Sequence, residues 1–179
     1  MNLPNKLTLV RVILIPFFLV CLYIQTPPTR IAALVLFCAA SITDALDGHI
    51  ARKYGLVTNF GKFMDPLADK LLVCSAMIAL ASIRSAVMLP SWAVIIIIAR
   101  EFIITGFRTL AAEQKVVIAA GFWGKLKTVF QMIMVIVLLL NIDNTFFRTV
   151  SYILIAISLI LTIISAVDYM IKNKQVLKG

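Results

Sequence analysis

The sequence predicts an all-α integral membrane protein built as a bundle of six transmembrane helices. Hydrophobic residues make up 62% of the 179 residues and charged residues only 14%, whereas a soluble domain carries about 25% charged residues. The apolar runs are continuous instead of alternating, which favours helices over a β-barrel. Because one span takes about 20 residues, the length predicts a single membrane-embedded domain over residues 1–179.

Each predicted helix is an apolar run that ends at a polar or helix-breaking turn. A run with Pro16 inside it ends at the turn 25–29, which holds two prolines. The second and third runs are separated by a polar loop with Gly55, and Pro66 follows as an early helical residue or a kink. The predicted spans cover residues 7–24, 30–53, 59–83, 91–112, 122–140 and 146–171.

The positive charges predict the orientation of this bundle. With six spans both ends of the chain lie on one side, together with Lys6, the 52–62 loop and the 113–127 region. The opposite turns carry only Arg30, Arg84 and Arg148. The positive-inside rule places the richer side in the cytoplasm of a multi-pass plasma-membrane protein. The net charge of +9 therefore reports topology and attraction to anionic membrane lipids, not nucleic-acid binding.

Four of the eight acidic residues fall in one stretch between two apolar runs, as Asp44, Asp47, Asp65 and Asp69. The first pair is spaced i,i+3 and the second i,i+4, so each pair shares one helix face. Carboxylates held together at a membrane need a cation, and oxygen ligands favour Mg²⁺ or Mn²⁺. Two such ions suit displacement at phosphorus. The stretch thus predicts a site for two divalent ions near the cytoplasmic boundary.

Two other interpretations of these carboxylates stay open at this point. They could form ordinary ion pairs with neighbouring cations such as Arg52 and Lys62. They could also line an ion pathway, which would make the protein a divalent-cation transporter. Transport sites usually lie near the middle of the membrane on broken helices, whereas these acids lie at the ends of the predicted spans.

The pattern Asp44-x-x-Asp47-Gly48-x-x-Ala51-Arg52, eight residues, then Gly61-x-x-x-Asp65-x-x-x-Asp69 resembles the signature of the CDP-alcohol phosphatidyltransferase family. The resemblance implies six spans, two divalent metals, a homodimer, and transfer of a phosphatidyl group from a CDP-linked lipid to an alcohol with release of CMP. It implies that all four aspartates ligate metal and that Asp69 is also the catalytic base. It further implies that Gly48, Arg52 and Gly61 line the site for CDP-diacylglycerol, where Asn5 and Thr8 could also reach the nucleotide. For Asn5 a helix cap is the alternative.

Three further segments resemble the branch formed by the bacterial phosphatidylglycerophosphate synthases, whose acceptor is sn-glycerol 3-phosphate. These segments are the start Asn2–Arg11, Arg100-Glu101 with Arg108, and Gly124–Thr128. The acceptor phosphate needs cations, and the candidates are Arg100, Arg108, Lys125 and Lys127. The alternative is that these cations are topology signals whose charged ends reach the interface. Glu101 is expected to pair with a cation or orient one. The other acceptors considered are inositol phosphate, serine and phosphatidylglycerol.

Overall fold

A computed structural model of the chain describes residues 3–53, 59–113 and 121–174. Within these ranges the side chains of residues 3–6, 44–53, 59–63, 65, 66, 69, 112 and 113 lie outside the description. The described part is helical and contains no strand, which confirms the predicted all-α class. The helices are α1 (Leu3–Ile24), α2 (Pro27–Lys53), α3 (Asn59–Ser82), α4 (Ser91–Glu113), α5 (Phe122–Leu140) and α6 (Thr145–Lys172).

Two helices begin earlier than predicted: α1 begins at Leu3 instead of residue 7, and α2 begins at Pro27 instead of Arg30. Prolines are tolerated in a first helical turn because the backbone N–H groups there have no partner in the helix. Thr29 then closes the cap, since its hydroxyl accepts from the backbone N–H of Thr26 at 3.1 Å and donates to the Thr26 carbonyl at 3.0 Å. The turn that the two prolines predicted is therefore part of the helix.

The prolines at 16 and 66 both lie within helices. Pro16 is inside α1, and position 66 lies inside the continuous helix α3. At the other end of α1, Gln25 has a left-handed backbone with φ 59°, and Asn141 has φ 50° just after α5. A left-handed residue directly after the last helical turn is a common way to end a helix.

The chain divides into two compact units, of which the first comprises Met1–Ser85 with Leu139–Asn141. Within it α1 packs against both α2 and α3, and α2 contacts α3. Its core includes Phe18 of α1 and Phe37 of α2, which are buried with ring centroids 5.9 Å apart. This unit contains both helices that carry the acidic stretch.

The second unit comprises Ala86–Leu138 and Ile142–Gly179. Here α4 packs against α6, around a buried cluster of Ile104, Phe107, Ala111 and Tyr169. The rings of Phe107 and Tyr169 meet edge to face with centroids 5.7 Å apart. This unit contains all four cations that the sequence assigns to the acceptor.

The helices have the lengths and surfaces of a membrane protein. In the described part of the chain, three segments are long and apolar enough to span a bilayer, namely Leu7–Ile24, Phe122–Leu140 and Thr145–Lys172. Shorter apolar segments cover Pro27–Thr43 and Lys70–Ser82, directly beside the acidic stretch. Large apolar side chains point outward, as in Ile95 and Phe122, which suits contact with lipid. The prediction of an integral membrane protein with six helices is confirmed.

Candidate functional site

The acidic stretch occupies the last part of α2 and the first part of α3. The backbone is helical at Asp44 and Asp47 on α2 and at Asp65 and Asp69 on α3, so the predicted i,i+3 and i,i+4 pairs each lie on one helix face. These two helices contact each other within the first unit. The four aspartate side chains lie outside the described residues, so their convergence on shared ions stays a prediction.

The side chains described in this structure include no group of three or more carboxylates, histidines or cysteines placed to hold a metal. The predicted nucleotide-site residues Asn5, Gly48, Arg52 and Gly61 also fall outside the side-chain description, although all four positions are helical. Thr8 is described, and it is buried in the first unit. Thr8 therefore lies in the interior of this unit and not at its surface.

Arg11 is a buried residue that the sequence reasoning passed over. It follows Thr8 by three residues, so the two share a face of α1, and it is fully buried. Charged side chains are rarely buried unless they are paired, and Arg11 does make an interaction in the structure. A buried guanidinium therefore adds positive charge to the unit that carries the acidic stretch. A single cation inside the first apolar run was the signal for it.

The second unit contains a buried ionic cluster centred on Glu101. The carboxylate oxygen Oε1 of Glu101 accepts from Nη1 of Arg100 at 2.9 Å and also from Nζ of Lys127. The cluster therefore joins α4 to α5. The exposed fractions of the three side chains are 13% for Arg100, 16% for Glu101 and 3% for Lys127. This confirms the expectation that Glu101 pairs with a cation.

Among the described side chains, the Glu101 cluster holds two cations, Arg100 and Lys127, on one carboxylate. The Nε atom of Arg100 is buried and has no hydrogen-bond partner. A Cβ atom at Gly124 would lie at an ordinary contact distance of 3.8 Å from Nη2 of Arg100, so the guanidinium lies beside the first turn of α5. Cationic donors of this kind are what an anionic group such as a phosphate monoester needs for binding.

The other two predicted acceptor cations have different surroundings. Nε of Arg108 donates to the hydroxyl of Tyr169 at 3.3 Å, and its guanidinium carbon lies 5.6 Å from the centroid of the same ring. This contact places Arg108 against α6. Lys125 is exposed at the start of α5. The structure thus brings Arg100 and Lys127 together and gives Arg108 a partner of its own.

Comparison with known proteins gives a consistent result over nearly the whole chain. The family model described as CDP-alcohol phosphatidyltransferase matches residues 1–164. A protein of Bacillus subtilis named CDP-diacylglycerol--glycerol-3-phosphate 3-phosphatidyltransferase is 43% identical, with 99% of this chain and 97% of the relative covered.

Two further relatives come from other bacteria. A protein of Rickettsia bellii with that same name is 40% identical, and the alignment covers 94% of this chain and 93% of the relative. A protein of Mycobacterium tuberculosis named probable phosphatidylglycerophosphate synthase is 37% identical, over 99% of this chain and 84% of the relative. The similarity therefore extends through both units and all six helices.

Proposed function

Because this chain belongs to the CDP-alcohol phosphatidyltransferase family, we propose that it transfers the phosphatidyl group of CDP-diacylglycerol to sn-glycerol 3-phosphate, giving phosphatidylglycerophosphate and CMP. The observation that carries the proposal is the full-length similarity to relatives whose names state this donor and this acceptor. Their names also describe transferases, which argues against the alternative of a divalent-cation transporter. The Glu101 cluster adds a physical reason for a phosphorylated acceptor.

The four aspartates of the acidic stretch are the proposed holders of two divalent ions. Their donor chemistry fits, because carboxylate oxygens suit Mg²⁺ and Mn²⁺, and the two helices that carry them are in contact. When bound, two such ions neutralise phosphate oxygens and stabilise the leaving group in a displacement at phosphorus. We assign Asp44, Asp47, Asp65 and Asp69 as their ligands.

The proposed reaction is a direct displacement with Asp69 as the general base. Asp69 accepts the proton of the primary hydroxyl of glycerol 3-phosphate. The oxygen then forms a bond to the lipid-linked phosphorus of CDP-diacylglycerol, and the bond from that phosphorus to the oxygen of CMP breaks. Holding both substrates in this geometry supplies much of the rate acceleration.

The two substrates are assigned to different helices. Asn5 and Thr8 of α1, with Gly48, Arg52 and Gly61, are proposed to bind the CDP part of the lipid. Thr8 lies in the unit that also carries the acidic stretch, which supports this assignment. Arg11 is proposed to add positive charge beside the same site.

The acceptor phosphate is assigned to α4 and α5. Arg100 and Lys127 are proposed to bind it directly, since Glu101 holds the two cationic groups together. Lys125 and Arg108 are proposed to extend this positive region towards the exposed end of α5 and towards α6. Glu101 is a positioning residue, because it holds both cations without contacting substrate.

We also propose that the enzyme forms a homodimer and works as a single catalytic domain in the plasma membrane, with both ends of the chain and the active site on the cytoplasmic side. The distribution of basic residues in the sequence supports that orientation. Glycerol 3-phosphate and CMP are soluble, so a site at the cytoplasmic boundary would exchange them directly with the cell interior. The lipid substrate would enter from the surrounding bilayer.

The test is a CMP-release assay with purified protein in detergent micelles. CDP-diacylglycerol is supplied with Mg²⁺ or Mn²⁺ and, in separate reactions, labelled glycerol 3-phosphate, inositol phosphate, serine or phosphatidylglycerol. We expect CMP and a labelled lipid only with glycerol 3-phosphate. Faster turnover with another acceptor would reject the acceptor assignment. If no acceptor yields CMP and the protein carries metal ions across liposome membranes, the proposal that it is an enzyme would be rejected.

A further inference from the structure

The first unit contains a cavity at the opposite end of α2 from the acidic stretch. Its volume is about 400 Å³, and it lies between the first turns of α2, the segment after α3 and the end of α5. Arg30 precedes Asp44 by fourteen residues on the same helix. At 1.5 Å per residue the two positions are about 21 Å apart. The cavity is therefore separate from the proposed catalytic site.

Two arginines give this cavity a positive charge. Arg30 and Arg84 both line it, and no carboxylate is among the described residues of its wall. Arg30 is fixed in place, because its Nη2 donates to the carbonyl of Arg84 at 3.1 Å and to the hydroxyl of Ser85 at 3.3 Å. Its Nη1 atom is buried without a hydrogen-bond partner. A buried charged donor without a partner is unfavourable, and an anionic oxygen would satisfy it.

The rest of the wall is largely aliphatic. Ile31 and Leu34 of α2 line the cavity together with Leu140 at the end of α5. Ile31 is 64% exposed, so the apolar wall continues onto the outer surface of the unit. A ligand that satisfies both halves of the cavity has an anionic head and a hydrocarbon chain.

We propose that this cavity binds an anionic phospholipid, with the head-group phosphate on Arg30 and Arg84 and an acyl chain along Ile31, Leu34 and Leu140. The guanidinium group matches phosphate oxygens well because its donors are planar and always charged. A volume of about 400 Å³ holds a head group and the first part of a chain, while the remainder lies on the apolar surface. Free inorganic phosphate shares the anion chemistry, but it would leave the aliphatic wall without a partner.

The experiment is a lipid titration of the full-length protein, delipidated in detergent and followed by native mass spectrometry. Phosphatidylglycerol is the anionic probe, phosphatidylcholine the zwitterionic probe and inorganic phosphate the soluble probe. The variants are Arg84→Gln, which removes one cation, and Ile31→Trp, which fills the apolar side and keeps both arginines. Arg148→Gln is the matched control, since Arg148 is half-exposed, pairs with Asp143 at 2.9 Å and is not among the residues that line the cavity.

We expect the wild type to bind phosphatidylglycerol more tightly than phosphatidylcholine at one site per protomer. Arg84→Gln should weaken that site about tenfold, the size expected for one charge-assisted contact, and Ile31→Trp should weaken it as well. The Arg148→Gln control should bind as the wild type does. All four proteins should release CMP at the same rate with saturating substrates, because the cavity is remote from the reacting groups.

Three outcomes would overturn the proposal. Equal binding of phosphatidylcholine would show that charge does not select the ligand. Competition by millimolar inorganic phosphate as strong as that of the lipid would show that a soluble anion is the ligand. Unchanged phosphatidylglycerol binding in folded Ile31→Trp would show that the lipid lies elsewhere, and this variant decides the matter if Arg84→Gln does not fold. Thermal melting curves establish which variants are folded.

Discussion

Replacing Lys127 with methionine tests the acceptor-phosphate site most directly. Methionine has a similar length and keeps the apolar part of the side chain, but it removes the ammonium group that contacts Glu101. Arg100 remains 2.9 Å from Glu101, so the carboxylate keeps a partner and the helices should stay folded. The variant therefore has one positive charge fewer than the wild type in this cluster.

The size of the effect follows from the burial of the cluster. At an effective dielectric constant of about 20, one charge at about 4 Å from a phosphate oxygen contributes roughly 4 kcal/mol before desolvation. Hydrogen bonds to charged groups retain about 1.5–3 kcal/mol of net stabilisation. Since each 1.4 kcal/mol is about a tenfold change, the KM for glycerol 3-phosphate should rise roughly 10-fold to 100-fold.

The assay measures CMP release while one substrate is varied and the other is saturating. In Lys127→Met we expect the rise in KM for glycerol 3-phosphate to be much larger than any change for CDP-diacylglycerol. Lys172→Met is the matched control, because this lysine also pairs with a carboxylate, Asp168, but is 65% exposed. Its kinetics should equal those of the wild type.

An equal rise of both KM values in Lys127→Met would contradict a specific role at the acceptor phosphate and would point to general distortion of the site. An unchanged KM for glycerol 3-phosphate in a folded variant would show that the Glu101 cluster only holds α4 against α5. Thermal melting of the purified variant separates these results from a loss of folded protein.

The remaining predictions concern the base, the second arginine and the metal ions. Asp69→Asn should abolish CMP release with an unchanged thermal melting temperature, and near-normal turnover would remove the general-base assignment. Arg108→Ala should raise the KM for glycerol 3-phosphate more than that for CDP-diacylglycerol. Tyr169→Phe removes only the hydroxyl contact at 3.3 Å and should have a smaller effect. Equal effects on both KM values in Arg108→Ala would argue against an acceptor role. Chelation with EDTA should stop the reaction, and Mg²⁺ or Mn²⁺ should restore it and raise the melting temperature of the wild type more than that of Asp65→Asn. An identical metal-induced shift in both proteins would contradict the ligand assignment.

The helices could be predicted from the sequence because continuous apolar runs determine both their class and their length. Each of the six helices in the described part of the chain begins or ends within one residue of a predicted bound, and α5 matches at both ends. The start of α2 was missed because two prolines in a row favour a turn when considered alone. The contact of Thr29 with the backbone of Thr26 shows that the surrounding cap decides whether such prolines end a helix or begin one.

The sequence predicts less of the acidic stretch than it does of the helices. Spacing alone is enough to place Asp44 with Asp47 on one face of α2 and Asp65 with Asp69 on one face of α3, and the observed helices agree with that placement. Whether two such faces meet depends on the rotation of each helix about its axis, which spacing within one helix does not determine. The contact between α2 and α3 supports the proposed metal site.

The sequence does not predict which cations of α4 and α5 are buried, because their burial depends on how the helices pack. In the sequence Arg100, Arg108, Lys125 and Lys127 are alike, because each is a basic residue within or at the end of an apolar run. A topology signal must keep its charged end in contact with water or the interface, and Lys127 does not, since its side chain is 3% exposed and contacts Glu101. Glu101 lies 26 residues from Lys127, so only the packing of α5 against α4 brings them together. Burial of a lysine with a shared carboxylate is unfavourable without a compensating role, and the proposed binding of the acceptor phosphate would supply one.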